Sequence, residues 1–320
     1  MAEKLLEVRN LKKYFNTKKG WLHAVDDINF SINKGETLGL VGESGCGKST
    51  TGRVVLRLIE ATGGEVLFGG EDILKFNKKQ MRHLRENAQI VFQDPFASLN
   101  PRMSVSEIIS EPLIINNKGN KAERYRKVKE LMEIVGLAER LENAYPHELD
   151  GGRRQRIGIA RALALNPSFI VQDEPVSALD VSIQAQILNL MDELQKEFEL
   201  TYLFISHDLG VVKHVSDNIA VMYLGKIVEM SDYVSIFKDP LHPYTKALLS
   251  AIPIPSVDTD KKIERIILEG DVPSPIAPPP GCRFYGRCFM RKDICKDVTP
   301  ELKQISERRF CACHVTNGDA

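Results

Sequence analysis

Apolar residues at Ile28, Phe30 and Ile32 alternate with polar ones, which predicts a half-buried strand. Lys34-Gly35 then marks a turn. Thr37–Val41 and residues 89–92, 169–171 and 202–205 are short, almost uniformly apolar runs. Such runs predict strands covered on both faces, as in a parallel sheet. Helical periodicity lies between them: Ile183, Ile187, Leu190, Met191 and Leu194 fall on one helix face. Residues 102–165 read mostly as helix, predicting a helical subdomain inserted between two strands. Strands alternating with helices define an α/β layered architecture. No internal repeat is evident. Residues 252–281 carry Pro253, Pro255, Pro273, Pro275, Pro278, Pro279 and Pro280, which predicts an extended path over the surface.

Composition narrows the classes. The chain has 320 residues, enough for about two domains of ~100–200 residues each and for a core that needs no disulfide or metal staple. Lys plus Arg and Asp plus Glu are both 43, so the formal net charge is zero. That balance argues against a chain built to coat nucleic acid or an acidic membrane. No run approaches the ~18 apolar residues of a membrane span, and the start lacks the basic-then-apolar pattern of a secretion signal. The distribution is uneven: Cys282, Cys288, Cys295, Cys311 and Cys313 all lie in the last forty residues, and eight of the 16 prolines lie between Pro253 and Pro300.

The run Gly42-Glu43-Ser44-Gly45-Cys46-Gly47-Lys48-Ser49-Thr50 matches G-x-x-x-x-G-K-[ST], with a predicted strand before it and a helix after it. Glycines let successive backbone N–H groups turn inward around phosphate oxygens, and the following helix N-terminus adds its dipole. Lys48 can pair with the β- and γ-phosphates of a nucleotide, and Ser49 can offer its hydroxyl to Mg²⁺. Cys46 is a tolerated loop residue with no redox role. At the end of the 169–171 run stand Asp173 and Glu174, where doubly wound sheets put their active sites. Asp173 can organise Mg²⁺ through water, and Glu174 can act as the base for an attacking water.

The remaining motifs carry a resemblance. Leu149-Asp150-Gly151-Gly152-Arg153-Arg154-Gln155-Arg156 resembles the signature loop of ABC ATPases. Gln93 resembles the Q-loop glutamine, Asp180 the D-loop aspartate and His207 the switch histidine. Tyr14, with Phe15 as the alternative, resembles the aromatic residue that stacks on adenine. In this order the motifs are similar to those of an ABC transporter nucleotide-binding subunit over residues 5 to about 250. The resemblance implies a phosphate-loop NTPase fold in residues 1–250, with an antiparallel β-subdomain, a helical subdomain at about 95–165, and a Pro- and Cys-rich extension over 251–320. It implies ATP contacts from Tyr14, from every residue of the run Gly42 to Thr50 and from Asp173, catalytic roles for Glu174, His207 and Gln93, and Mg²⁺ held by Ser49, Gln93 and, through water, Asp173. It also implies a head-to-tail pair in which Leu149, Asp150, Gly151, Gly152 and Arg153 contact the partner's ATP.

The signature departs from the family pattern, which has Ser at Asp150 and Gln at Arg153. An ionised aspartate cannot donate a hydrogen bond to the γ-phosphate. At ~4 Å and an effective dielectric of about 20, its repulsion is roughly 4 kcal/mol before Mg²⁺ and Arg153 screen it. Asp150 is equally a good helix N-cap. With Gln93, Asp173, Glu174 and His207 intact, the expectation is a heterodimer with one competent and one impaired ATP site.

The tail cysteines lack the close pairs of tetrahedral zinc sites, and disulfides are disfavoured in a reducing cytosol. Thiolates suit an iron–sulfur unit, and Arg283, Arg287 and Arg291 are expected to favour the thiolate form. Three segments of the tail resemble the C-terminal extension of oligopeptide/dipeptide permease ATPases: 240–249, Gly270-Asp271-Val272-Pro273-Ser274-Pro275, and Gly281-Cys282-Arg283-Phe284 with Cys313-His314. Residues 93–102 resemble the OppF/DppF-type subunit. This narrower resemblance implies a [4Fe–4S] cluster on Cys282, Cys288, Cys295 and Cys313, with Cys311 outside the pattern. It implies a second ATPase of OppD/DppD type, two membrane permease subunits and an extracytoplasmic peptide-binding protein as partners. The chain is then expected to be peripheral at the cytoplasmic membrane face and to hydrolyse ATP to power peptide uptake, with no nucleic-acid partner. Import of nickel or another solute, a soluble ABC ATPase acting on nucleic acid or ribosomes, and a non-enzymatic regulatory subunit are the alternatives.

Overall fold

The computed structural model describes residues 3–252 and 265–318; Pro253 and Pro255 lie outside the described residues. In chain order, β1 (Lys4–Thr17) and β2 (Gly20–Asn33) precede β3 (Thr37–Val41), which is buried at every position and leads into α1 (Lys48–Val55). β4 (Gly63–Phe68), β5 (Glu71–Asp72), α2 (Lys78–Asn87) and β6 (Ala88–Val91) follow. The helical stretch resolves into α3 (Val105–Ile115), α4 (Lys121–Ile134) and α5 (Gly151–Leu163). Then come β7 (Phe169–Asp173), α6 (Val181–Phe198), β8 (Thr201–Ser206), α7 (Leu209–Val215), β9 (Asn218–Tyr223), β10 (Lys226–Asp232), α8 (Tyr233–Lys238) and α9 (Pro243–Ser250). The tail adds α10 (Ile294–Asp297), β11 (Lys303–Ser306), β12 (Arg309–Cys311) and α11 (His314–Asn317).

The described residues fall into two compact units. The first comprises residues up to Leu5, Ile32–Glu36 and Lys75–Ile205. In it β6, β7 and β8 pair in parallel, with Ala88 opposite Phe169 and Phe169 opposite Thr201. These are three of the apolar runs, and β7 is buried along its whole length. The helices start where short polar residues can cap them. Ser104 with Glu107 and Asn120 with Glu123 form reciprocal capping boxes at α3 and α4, each satisfying N–H groups that the first helical turn leaves open. α6 buries Ile187, Leu190, Met191 and Leu194 on the face that the periodicity predicts.

The second unit comprises Leu6–Ser31, Thr37–Leu74 and the chain from Ser206 onward. One sheet has the strand order β2-β1-β4-β5, with β1 and β4 antiparallel. In the other, β3 pairs in parallel with β9, and β10, β12 and β11 continue it in antiparallel fashion. The tail is therefore knitted into this unit rather than draped on it: Glu229 of β10 lies opposite Cys311 of β12. The described part of 252–281 contains no regular helix or strand, and it runs beside β2, where the His23 N–H donates to the Pro275 carbonyl at 3.0 Å and Ile276 bridges Leu22.

An aromatic cage fastens the tail. Phe284, 1% exposed, lies 5.2 Å from the Tyr223 ring, 5.5 Å from Tyr244 and 5.7 Å from His242. Such edge and tilted contacts stabilise aromatic pairs beyond their buried area. His242 caps α9 with Nδ1, which accepts the Tyr244 N–H at 3.1 Å. Burial keeps that ring neutral and pushes its pKa down to about 3.

Truncating a buried phenylalanine of this kind costs about 3–5 kcal/mol. Phe284→Ala should therefore lower the stability of the chain by about that amount in denaturant melts, and Phe284→Leu by clearly less. A loss below about 1 kcal/mol for Phe284→Ala would show that the cage does not anchor the tail.

Candidate functional site

In the second unit, the phosphate loop joins β3 to α1. Gly45 and Gly47 hold φ values of +78° and +109°, a region that favours glycine. A Cβ at Gly47 would strike the Ala24 carbonyl, and one at Gly42 the Met222 carbonyl. The loop therefore needs glycine for close packing as well as for conformation. Lys48 is 4% exposed and donates to the carbonyls of Gly42 (2.7 Å) and Glu43 (3.0 Å), closing the loop on itself. Ser49 and Thr50 follow in the first turn of α1. Ser44 and Gly45 are exposed, and Cys46 is buried beneath them. Burial raises the Cys46 thiol pKa, which suits a packing residue and not a nucleophile.

Two tail arginines reach this region. Arg287 donates to both oxygens of Glu43, at 3.0 and 3.2 Å. Arg283 donates to the Asp26 carboxylate and to the Leu224 carbonyl. Asp26 also accepts from the Tyr14 hydroxyl, and the Tyr14 ring stacks on His23 at 4.0 Å. Burial disfavours an ionised Asp26, but the Tyr14 hydroxyl, Lys226 and Arg283 outweigh it and its pKa falls. Phe15, the alternative aromatic, is 36% exposed with the Lys13 amine over its ring. His207 is exposed, one residue before Asp208, whose side chain caps α7 by accepting the Gly210 N–H at 2.7 Å.

The first unit holds the rest. β7 ends at Asp173, which is 2% exposed. Glu174 follows in the left-handed region at φ +50°, a conformation that costs of order 1–3 kcal/mol in a residue with a side chain. Its N–H donates to the Ile205 carbonyl at 3.0 Å and its carbonyl accepts the Ser177 hydroxyl at 3.1 Å, so the surroundings hold the strain. The Gln93 amide donates to the Glu174 carboxylate at 2.9 Å, so the structure brings these two predicted residues together. Asp180 stands exposed at the start of α6, making no side-chain cap bond.

In the signature, Leu149 is buried and Asp150 caps α5 by accepting the Arg153 N–H at 2.8 Å. The Arg153 guanidinium also pairs with the Asp150 carboxylate at 2.9 Å. Gly151 and Gly152 press on α6 and its lead-in: a Cβ would meet Leu179 at 3.0 Å and Ile183 at 2.7 Å. The Asp150 charge is thus paired within its own helix turn.

All six cysteines are free thiols. Gly281 lets the chain pass against the carbonyls of Cys295 and Lys296, and the Cys282 N–H donates to the Cys295 carbonyl at 2.8 Å. Burial pushes the Cys282 thiol up to about 12, with Cys295, Cys288 and Cys313 adding to the rise. Burial likewise pushes Cys288 up to about 11, with Cys313 and Cys295 adding. Cys282 thus lies near enough to the other three thiols to be affected by each of them. Cys311 lies on β12, where burial first, Glu229 next and Cys313 after it raise its pKa. Among the described residues, no group of three or more His, Cys, Asp or Glu side chains is arranged to hold a single metal ion.

The expectation for the tail arginines is corrected. Arg283 and Arg287 are spent on Asp26 and Glu43, and Arg291 lies over the Tyr285 ring at 5.7 Å. Arg291 does lower the Cys288 pKa, but burial overrides it. The partners Asp26 and Tyr244, whose hydroxyl accepts the Glu43 N–H at 2.9 Å, were missed by sequence reasoning: no motif contains Asp26, and nothing in the 240–249 segment marks the Tyr244 hydroxyl as a partner of the loop.

A glycine-rich phosphate loop between a buried strand and a helix defines this chain as a phosphate-loop nucleotide-binding protein. Residues 25–177 match the family model described as ABC transporter, and residues 228–295 match that described as oligopeptide/dipeptide transporter, C-terminal region. The chain is 54% identical to the oligopeptide transport ATP-binding protein AppF of Bacillus subtilis over 98% of both chains. It is 59% identical to OppF of the same organism over 82% of this chain and 86% of that one. Among solved structures, the dimeric ATP-binding cassette MJ0796 with ADP and Pi superposes with a TM-score of 0.66 at 29% identity, covering 71% of this chain and 98% of that one. CbiO1 of Clostridium perfringens superposes with a TM-score of 0.66 at 30% identity, covering 74% and 92%. The chain belongs to the ATP-hydrolysing subunits of ABC transporters, in the branch that carries the oligopeptide/dipeptide transporter C-terminal region.

Proposed function

We propose that this chain hydrolyses ATP as a motor subunit of an importer of dipeptides and oligopeptides. The observation that carries the reading is the joining, in one chain, of an ABC ATPase to the oligopeptide/dipeptide transporter C-terminal region. Lys48 pairs with the β- and γ-phosphates and exchanges its bonds to loop carbonyls for bonds to the nucleotide. Tyr14 stacks on adenine. Ser49, Gln93 and, through water, Asp173 would hold Mg²⁺, an ion that keeps waters and phosphates among its ligands and needs no closed protein cage. Glu174, oriented by Gln93, takes the proton of the attacking water as its oxygen bonds to the γ-phosphorus. ADP departs with the electrons of the broken bond, and His207 steadies the charge on the transferred group. Residues 1–250 are the ATPase and 251–320 the extension. The chain works beside a second ATPase subunit, two membrane permeases and a peptide-binding protein, and it reaches the cytoplasmic membrane face through them. Among the described residues no helix is long and apolar enough to cross a membrane. In the assembled complex in liposomes, Glu174→Gln should abolish ATP-driven uptake of a labelled dipeptide while ATP binding persists. Undiminished uptake would reject the assigned role.

The signature supports an asymmetric pair. Asp150 occupies the helix N-terminus that is offered to the partner's γ-phosphate, and Arg153 neutralises it locally. The ~4 kcal/mol figure for the bare charge is thus an upper bound. Asp150→Ser should raise the turnover of the assembled complex several-fold, and Arg153→Gln, which uncovers the carboxylate, should lower it. Unchanged turnover in both variants would dismiss the asymmetry.

The tail is proposed to hold a [4Fe–4S] cluster on Cys282, Cys288, Cys295 and Cys313. The support is that Cys288, Cys295 and Cys313 all lie close enough to Cys282 to raise its pKa, that the Cys282 N–H donates to the Cys295 carbonyl, and that Cys295 and Cys313 are buried. A single tetrahedral zinc would draw four sulfurs to ~2.3 Å from one centre, whereas a cluster takes a wider ligand set. A bound cluster would deprotonate the thiols outright. Anaerobically purified protein should be brown, with iron and sulfide near four per chain. Colourless, iron-free protein would sink the assignment.

A further inference from the structure

Residues 283–287 touch the nucleotide-binding elements at two separate points. Arg287 spans the Glu43 carboxylate and lies 3.5 Å from the Tyr223 hydroxyl. Arg283 holds Asp26, which in turn holds the Tyr14 hydroxyl. Between the two arginines, Phe284 is locked in the aromatic cage, and the cage member Tyr244 accepts the Glu43 N–H. The side chains of Arg283 and Arg287 are only 6% and 11% exposed, so neither is a solvated surface contact. Pro273 and Pro275 bring the tail to the same loop, lining a cavity of about 330 Å³ with Glu43, Ser44, Gly45 and Cys46.

Each contact has a physical consequence for a bound triphosphate. Glu43 places a carboxylate on the loop that must receive several negative charges, and like charges at close range repel. Arg287 cancels that charge and holds the side chain in one place, as a fork-shaped guanidinium does on a carboxylate. Asp26 orients the Tyr14 ring through its hydroxyl, and Arg283 is the most buried cation on Asp26; Lys226 and His23 stand farther off, at 3.7 and 3.6 Å. We infer that Arg283 and Arg287 are positioning residues for ATP, Arg287 acting on the phosphate end through Glu43 and Arg283 on the adenine end through Asp26 and Tyr14. The inference rests on the proposed nucleotide roles of the loop and of Tyr14, and it makes the extension a part of the nucleotide site.

Two ligands separate the two ends. Calorimetric titration of the full chain with MgATP and with inorganic tripolyphosphate reads the whole nucleotide and the phosphates alone. Arg283→Ala should weaken ATP binding by roughly tenfold, the scale of one lost charged hydrogen bond, and leave tripolyphosphate unchanged. Arg287→Ala should weaken both ligands by a similar factor. Adding Glu43→Gln to Arg287→Ala should bring both affinities back to those of Glu43→Gln alone. In the ATPase assay of the assembled complex, KM should rise with little change in kcat at saturating ATP. Arg283→Lys and Arg287→Lys keep the charge and should retain most of the affinity, which guards against misfolding of the alanine variants. A purely structural role would instead depress both ligands equally in Arg283→Ala, and Glu43→Gln would not suppress Arg287→Ala; either result overturns the inference. Failure of the unaltered chain to bind either ligand would instead reject the underlying nucleotide reading.

Discussion

The second unit depends on the aromatic cage of Tyr223, His242, Tyr244 and Phe284. It forms where three stretches distant in sequence converge: β9, the start of α9 and the turn after Cys282. Its interior is dry enough to keep His242 neutral and to raise the Tyr244 hydroxyl pKa well above the usual tyrosine value. One polar atom escapes that dryness by design. The Tyr244 hydroxyl accepts the Glu43 N–H, so the cage reaches into the phosphate loop through a hydrogen bond. A loop that must present successive N–H groups to an anion benefits from a rigid footing, because each group it misaligns weakens the cradle.

Carboxylates near such a footing are costly unless paired. Asp26 and Glu43 are both partly buried, and both find their arginine in the tail. The aromatic packing brings the arginines close, and the ion pairs then fix the angles at which Tyr14 and the loop stand. Removing one partner of such a pair leaves the other charge uncompensated, which is why these contacts do more for geometry than for net stability.

Contiguous chemistry was legible in the chain. The phosphate loop, the Asp173-Glu174 pair at a strand end and the apolar runs at β3, β6, β7 and β8 each lie within a dozen residues, where periodicity and spacing can be read directly, although Gln89 and Ile90 of β6 are half-buried and not covered on both faces as expected. The face of α6 was equally plain. What escaped reading is long-range. Arg283 meets Asp26 across 257 positions and Arg287 meets Glu43 across 244, and nothing local marks either pair. β11 and β12 are short, and β11 is exposed throughout, so they have little hydrophobic signature. The tail arginines were legible as charges near cysteines, but their direction was not, because the cage sets it.

Three acidic residues lie on segments with nucleotide roles, and each is matched by an arginine: Asp26 by Arg283, Glu43 by Arg287 and Asp150 by Arg153. The pairs differ in what surrounds them. The first two are shielded, supplied by the distant tail and held by its packing. The third is local to one helix turn, with about half of each side chain exposed, so water competes for it and either member can turn toward an arriving phosphate. An arginine freed in that way would offer donors where the aspartate can only accept. The phosphate loop and Tyr14 are thus braced by shielded charge pairs, while the proposed signature keeps its Asp150–Arg153 pair exposed and adjustable.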